Sequence, residues 1–169
     1  VENVPPLNAG IGVERAYYLL GGEAVSGQSS ETNPGVGIAL ESAVVGETLQ
    51  VHLTLTLDNE AYYLAVEDYI PAGAEVLNAN LKTSQQALQY DLRDPFGDGW
   101  GWWYFSDPQI YDDHIAWAGD YLPAGTYELP YLLVLNHPGQ YRVIPARAWQ
   151  FYFPEVQGNS AGTIFEIVE

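Results

Sequence analysis

From Leu49 to Leu57 the chain alternates without a break. Leu49, Val51, Leu53, Leu55 and Leu57 fall on one side, and Gln50, His52, Thr54 and Thr56 on the other. A period of two marks an extended strand with one face on an apolar core, because successive strand side chains point to opposite faces. No segment sustains helical spacing over three turns; Ser84 to Leu92 offers a short helical turn at most. Extended runs instead recur between Gly and Pro punctuation: Ile11–Leu20, Tyr62–Asp68, Tyr127–Leu135, Gln140–Val143, Arg147–Phe153 and Thr163–Val168. This rhythm predicts an all-β fold, an antiparallel β-sandwich of about seven to nine strands.

The connections are read from turn chemistry. Asp58-Asn59-Glu60 is expected to fold Leu49–Leu57 and Tyr62–Asp68 into one hairpin. Asn136-His137-Pro138-Gly139 is expected to return Tyr127–Leu135 into Gln140–Val143 as a short partner strand, since Pro fixes φ and Gly tolerates positive φ. Pro145 interrupts, and Pro154 ends the aromatic run because it has no N–H for a ladder. Gln157-Gly158-Asn159-Ser160 reads as a polar loop, and Gly21–Gly37 as a longer one. One hexapeptide pattern occurs twice, as Asp68-Tyr69-Ile70-Pro71-Ala72-Gly73 and Asp120-Tyr121-Leu122-Pro123-Ala124-Gly125. Each copy predicts a corner at which the chain crosses between sheets. Residues 1–169 read as a single domain with an extended lead-in at 1–10 and an aromatic, acidic insert at 85–112.

Composition limits the partners. The net charge is −17, with only Arg15, Lys82, Arg93, Arg142 and Arg147 positive. Such a surface repels phosphate backbones and anionic membranes, so neither nucleic acid nor membrane contact is expected of it. There is no cysteine, which excludes disulfides, thiolate zinc sites and a Cys nucleophile. No apolar run approaches the ~20 residues needed to span a bilayer. The opening Val1-Glu2-Asn3-Val4-Pro5-Pro6 lacks a basic and an apolar region, so no signal peptide is expected there.

Four constellations bear on chemistry. Gly158-Asn159-Ser160-Ala161-Gly162 fits the G-x-S-x-G pattern, but a hydrolase elbow needs a helix after the Ser and a later His. A strand follows instead, and no His comes after Ser160. His52, His114 and His137 show no metal-ligand spacing. Asp91, Asp94, Asp98, Asp107, Asp112 and Asp113 flank the insert and offer hard oxygens for Ca²⁺, without the spacing of an EF-hand. No catalytic residue, metal or cofactor is therefore assigned. The fourth is the insert itself. Trp100, Trp102, Trp103, Tyr104, Phe96 and Phe105 lie within eleven positions. Packed over the sandwich edge, these rings make a satellite core; exposed, they make a possible binding surface for carbohydrate or protein. The packed reading is preferred because a bare aromatic patch invites aggregation.

Five words of the sequence carry a resemblance. DYLPAGTYE, PGQYRVIPARA and FYFPEVQGNSAG, with GVERAYYLLGG and YLAVEDYIPAGAEVLN upstream, resemble the C-terminal macroglobulin-like, receptor-binding-type domain of bacterial alpha-2-macroglobulin family proteins. These are large extracytoplasmic thioester proteins that trap proteases. The resemblance covers nearly the whole chain, departing at Gln85–Asp112. It implies a macroglobulin- or immunoglobulin-like sandwich without catalytic activity, acting in an extracellular, periplasmic or cell-surface parent whose export signal lies far upstream. It implies a partner in cis, the thioester domain, and contact with trapped protease only indirectly. Phe151 and Tyr152 match a hydrophobic-Tyr pair of the family, followed by Phe153-Pro154-Glu155-Val156. With Trp149 they are the implied interface that screens the thioester from water. Strand alternation alone would instead send about half of this run into the core. The chain has no Cys-x-x-Gln and no recognisable bait segment, so the resemblance assigns both to other domains. The alternative on residues alone is a stand-alone extracellular binding module that uses Trp100, Trp102, Trp103 and Tyr104.

Overall fold

The computed structural model describes residues 4–20, 39–77 and 100–169. Ser84–Leu92, the 21–37 loop, the insert up to residue 99 and Asp91, Asp94 and Asp98 lie outside the described residues. Within them the fold is all-β, with thirteen strands in three sheets and one 3₁₀ turn, Trp102–Tyr104. The largest sheet runs, edge to edge, β1 (Leu7–Ala9), β12 (Gln157–Asn159), β11 (Arg147–Gln150), β5 (Ala61–Tyr69), β8 (His114–Leu122) and β7 (Gln109–Ile110). A four-stranded sheet is ordered β2 (Ile11–Leu19), β4 (Thr48–Leu57), β9 (Gly125–Leu135) and β6 (Ala74–Val76). A small sheet sets β13 (Thr163–Val168) between β10 (Gly139–Val143) and β3 (Ser42–Val44), the last pair being parallel. The strand number exceeds the expected seven to nine because five strands (β1, β3, β6, β7 and β12) have only two or three residues. Such short pieces leave no alternating pattern to read.

The alternation of β4 has the expected cause. Leu49, Val51, Leu53 and Leu55 are fully buried, and β4 lies between β2 and β9 with continuous ladders to both. The sheets meet in one shared core. Trp117 of the large sheet reaches Tyr131 of β9 at 5.9 Å between ring centroids, and Tyr17 of β2 meets Phe165 of β13 at 4.9 Å. Burying rings of this size supplies a large share of the apolar surface removed from water.

Both Pro-Ala-Gly corners do cross between sheets. The first carries the chain from β5 to β6, the second from β8 to β9. The two expected hairpins do not form. Residues 58–60 are an arch: β4 belongs to one sheet and β5 to another. Both sides of β4 are already taken by β2 and β9, so β5 has no ladder to join there. Likewise β10 pairs with β13 and not with β9. Gly10, at φ 98°, makes a further switch inside the expected lead-in, where β1 and β2 lie in different sheets. Thr163–Val168 is a strand with the bounds read from sequence.

Pro130 sits inside β9, where a central strand would forbid it. It is tolerated because β6 pairs only with 133–135. Along this open edge the Glu128 amide donates to the Trp100 carbonyl at 2.8 Å, and the Leu132 carbonyl accepts from the Leu77 amide at 2.9 Å. Pro130, between them, has no N–H to leave bare. The aromatic segment after residue 99 thus covers an edge that would otherwise offer itself to another chain.

Candidate functional site

The strand β11 sets the site by its register. Ala148 and Gln150 face the core and are buried, while Arg147 and Trp149 face outward. Arg147 donates two hydrogen bonds to Glu67 Oε2, at 3.0 and 2.7 Å, and its guanidinium lies 4.5 Å from the Trp149 ring centre. The expected strand through Phe153 ends at Gln150. There the chain makes two turns in succession: the Phe153 amide donates to the Gln150 carbonyl at 3.2 Å, and the Val156 amide to the Phe153 carbonyl at 2.9 Å. The Gln150 amide closes the loop on the Val156 carbonyl at 3.1 Å. Aromatic composition favours a strand here, but the turns and Pro154 override it.

The outcome is a loop with its rings outside. Phe151, Tyr152 and Phe153 are 66%, 64% and 52% exposed, so none of the run from 149 to 153 lines the core through an aromatic side chain. Phe151 and Tyr152 meet edge-to-face at 5.3 Å, and Tyr152 meets Tyr63 of β5 at 5.1 Å. The loop is tied down by main-chain bonds. The Phe151 amide donates to the Tyr63 carbonyl at 2.9 Å, and buried Gln150 accepts the Tyr62 amide at 3.3 Å. Three adjacent exposed rings on a braced loop suit a protein interface, where aromatic anchors carry most of the energy.

The second group of candidate residues divides. Trp102 and Tyr104 pack against the core with Phe105, whereas Trp100 and Trp103 are about half exposed. Tyr127 is the centre of this cluster, with Tyr104 at 5.7 Å, Trp100 at 5.8 Å and Phe105 at 6.0 Å. Its hydroxyl donates to the Pro123 carbonyl at 2.6 Å. Gly101 passes so close to this ring, at φ 80°, that a Cβ would overlap it. From Trp100 onward, the described part of the insert is therefore a satellite core with two rings on its outer rim.

Other candidates resolve into local structure. Gln157–Asn159 is strand β12 and not a loop, pairing with both β1 and β11. Ser160 is buried; its Oγ accepts the Ala146 amide at 3.0 Å and donates to the Ala161 carbonyl at 3.1 Å. The hydroxyl is thus engaged with the backbone. His52 lies 3.5 Å from Glu128, and His114 lies 2.6 Å from Asp113, whose carboxyl pKa is lowered by that hydrogen bond. Among the described residues no group of three or more His, Asp or Glu gathers to hold a metal. No helix among them is long and apolar enough to cross a membrane.

One cluster escapes motif reading altogether. Arg15 Nη1 donates to Asp68 Oδ1 at 2.6 Å, both side chains almost wholly buried, and also to the Tyr69 and Ile144 carbonyls at 3.1 Å each. Tyr131 donates its hydroxyl to Asp68 Oδ2 at 2.7 Å. Burial lifts the Asp68 carboxyl above the usual carboxylate range, against the pull of Arg15 and Tyr131. Burial opposes the Arg15 cation most strongly, but Asp68, Tyr17 and Tyr131 together outweigh it and the Arg15 pKa is raised. Burial and then the Asp68 charge push the Tyr131 hydroxyl well up. The signal was available in the alternation: Ile11, Val13, Arg15, Tyr17 and Leu64, Val66, Asp68 each place one charge in an otherwise inward series, with opposite signs.

Comparison with known proteins agrees with this architecture. Residues 10–155 match the family described as Bacterial Alpha-2-macroglobulin MG10 domain. An alpha-2-macroglobulin homolog of Nostoc sp. is 30% identical over 117 residues, covering 69% of this chain and 6% of that protein. Trypsin-activated alpha-2-macroglobulin from Escherichia coli superposes with a TM-score of 0.72 at 18% identity, over 98% of this chain and 11% of that one. Native E. coli alpha-2-macroglobulin from domain MG7 to the C-terminus gives 0.67 at 19% identity, over 97% and 24%. The methylamine-reacted Salmonella protein gives 0.67 at 20% identity, over 99% and 10%. The chain spans a small fraction of each of these relatives. By sequence match and by fold, it belongs to the bacterial alpha-2-macroglobulin MG10 domain family.

Proposed function

We propose that residues 1–169 act as one non-catalytic docking unit of an exported, protease-trapping alpha-2-macroglobulin-like protein, at its C-terminal end. The unit sets Phe151, Tyr152 and Phe153, with Trp149 beside them, on the thioester domain and excludes water until cleavage of the bait rearranges the molecule. The observation that carries this reading is the braced loop with three consecutive exposed rings. An acyl thioester survives only where water and amines are kept away, and packed aromatic rings do that. The Salmonella relative is one that reacts with methylamine, and the E. coli relative one activated by trypsin. In this reading the contact with the protease is indirect, and the work is done outside the cell, in the periplasm or at the cell surface. Trp100 and Trp103 favour a sugar platform less, because their rings stand at 66° to each other and share no plane.

The test uses the full-length protein that contains this chain. Tyr152→Ala is expected to speed spontaneous thiol release severalfold, followed with a thiol reagent, while the melting temperature of the isolated chain stays within about 2 °C because an exposed side chain is lost. Release at the wild-type rate would sink the shielding role.

A further inference from the structure

Tyr63 holds its backbone at φ 51°, and among the described residues it is the only non-glycine at positive φ. A bulky side chain adopts that conformation only when its surroundings impose it. The location explains part of the need. On β5 the inward residues are Ala61, then Leu64, Val66 and Asp68; on β8 they are Ile115, Trp117 and Gly119, then Leu122. Both strands change phase at one rung, leaving Tyr63 and Asp120 between the paired rungs Tyr62–Tyr121 and Leu64–Gly119. On β5 the step is taken by one left-handed residue, Tyr63, a conformation that glycine or asparagine adopts at lower cost. The fold requires the step but not a tyrosine.

What the tyrosine adds goes to the aromatic loop. Its carbonyl accepts the Phe151 amide at 2.9 Å, and its ring, itself half exposed, stands at 88° to Tyr152, 5.1 Å between centroids. Edge-to-face pairs of this kind have a preferred geometry, so one ring orients the other. We propose that Tyr63 is a positioning residue. Its strained backbone brings its ring against Tyr152 and holds the Tyr152 ring in the pose that covers the thioester. This rests on the reading of Tyr152 given above.

The experiment compares Tyr63→Gly, Tyr63→Phe, Tyr152→Ala and the double variant Tyr63→Gly/Tyr152→Ala in the full-length protein, by thiol release and by melting of the isolated chain. Tyr63→Gly relieves the backbone, so its melting temperature should equal or exceed that of the wild type. Its thiol release should nevertheless rise severalfold, towards that of Tyr152→Ala. Tyr63→Phe keeps the ring and should release at the wild-type rate. The double variant should release no faster than Tyr152→Ala, because Tyr63 acts through Tyr152. A fast Tyr152→Ala beside a wild-type Tyr63→Gly overturns the positioning role and leaves the shield standing. Additive rates in the double variant overturn it too, as does a lower melting temperature for Tyr63→Gly. Unchanged release in Tyr152→Ala removes the shield itself.

Discussion

Asp68→Ala is expected to destabilise the chain by about 3–5 kcal/mol, the usual cost of removing one partner from a buried ion pair. For a chain of this length that corresponds to a fall in melting temperature on the order of 10 °C. The cost arises less from the lost attraction than from what remains. Arg15 would stay in the interior with its charge unmatched, and the Tyr131 hydroxyl would lose its acceptor. A double replacement separates these contributions. Arg15→Met with Asp68→Leu removes both charges and fills the space, so it should recover at least roughly half of the loss. If the double variant is as unstable as Asp68→Ala, the pair is contributing through geometry and not through charge compensation. Thermal melting of the three variants decides the matter.

The second large effect is at Gly158. A Cβ there would overlap the Ile11 carbonyl oxygen and come within 3.1 Å of the Leu7 carbonyl oxygen. Both obstacles are main chain, in β2 and β1, and neither can swing aside as a side-chain tip would. Gly158→Ala must therefore push β12 away from the main chain of β2 and β1. The expected loss is about 3 kcal/mol or more, the upper range for overpacking. Gln157→Ala, one residue earlier on an exposed position, should cost less than about 0.5 kcal/mol. Comparable losses for both would mean that the strand and not the close approach sets the cost.

This glycine also shows where sequence reading stops. Gly158 falls in a G-x-S-x-G pattern and among polar residues, and every local sign points to a loop. Its real constraint comes from Ile11, far away in the chain. The repeated hexapeptide teaches the same lesson. Asp68 and Asp120 hold the same place in it, yet Asp68 is wholly buried beside Arg15 and Asp120 faces solvent. Local pattern was enough for the strands β4 and β13 and for both corners, because alternation and turn chemistry are local properties. It was not enough for pairing, since an arch and a hairpin need the same three turn residues at 58–60. The aromatic run at 149–153 is a candidate interface through the family resemblance, whereas strand alternation alone sends about half of it into the core. Its shape, a loop and not a strand, depends on two successive turns and on the bond that the Phe151 amide donates to the Tyr63 carbonyl.

The pairing pattern has a kinetic consequence. Of the ten strand pairings among the described residues, only β7–β8 and β11–β12 join neighbours in the chain. β1 finds its partner at 157–159, and β3 finds its partner at 166–168. During synthesis the first strands therefore emerge with nothing to pair with, and most ladders wait for residues made much later. Loop closure over such separations places the chain among slow folders, in milliseconds to seconds. Until residues 157–168 are made, β1 and β3 lack their partners and the sheets that β12 and β13 complete stay open to other chains.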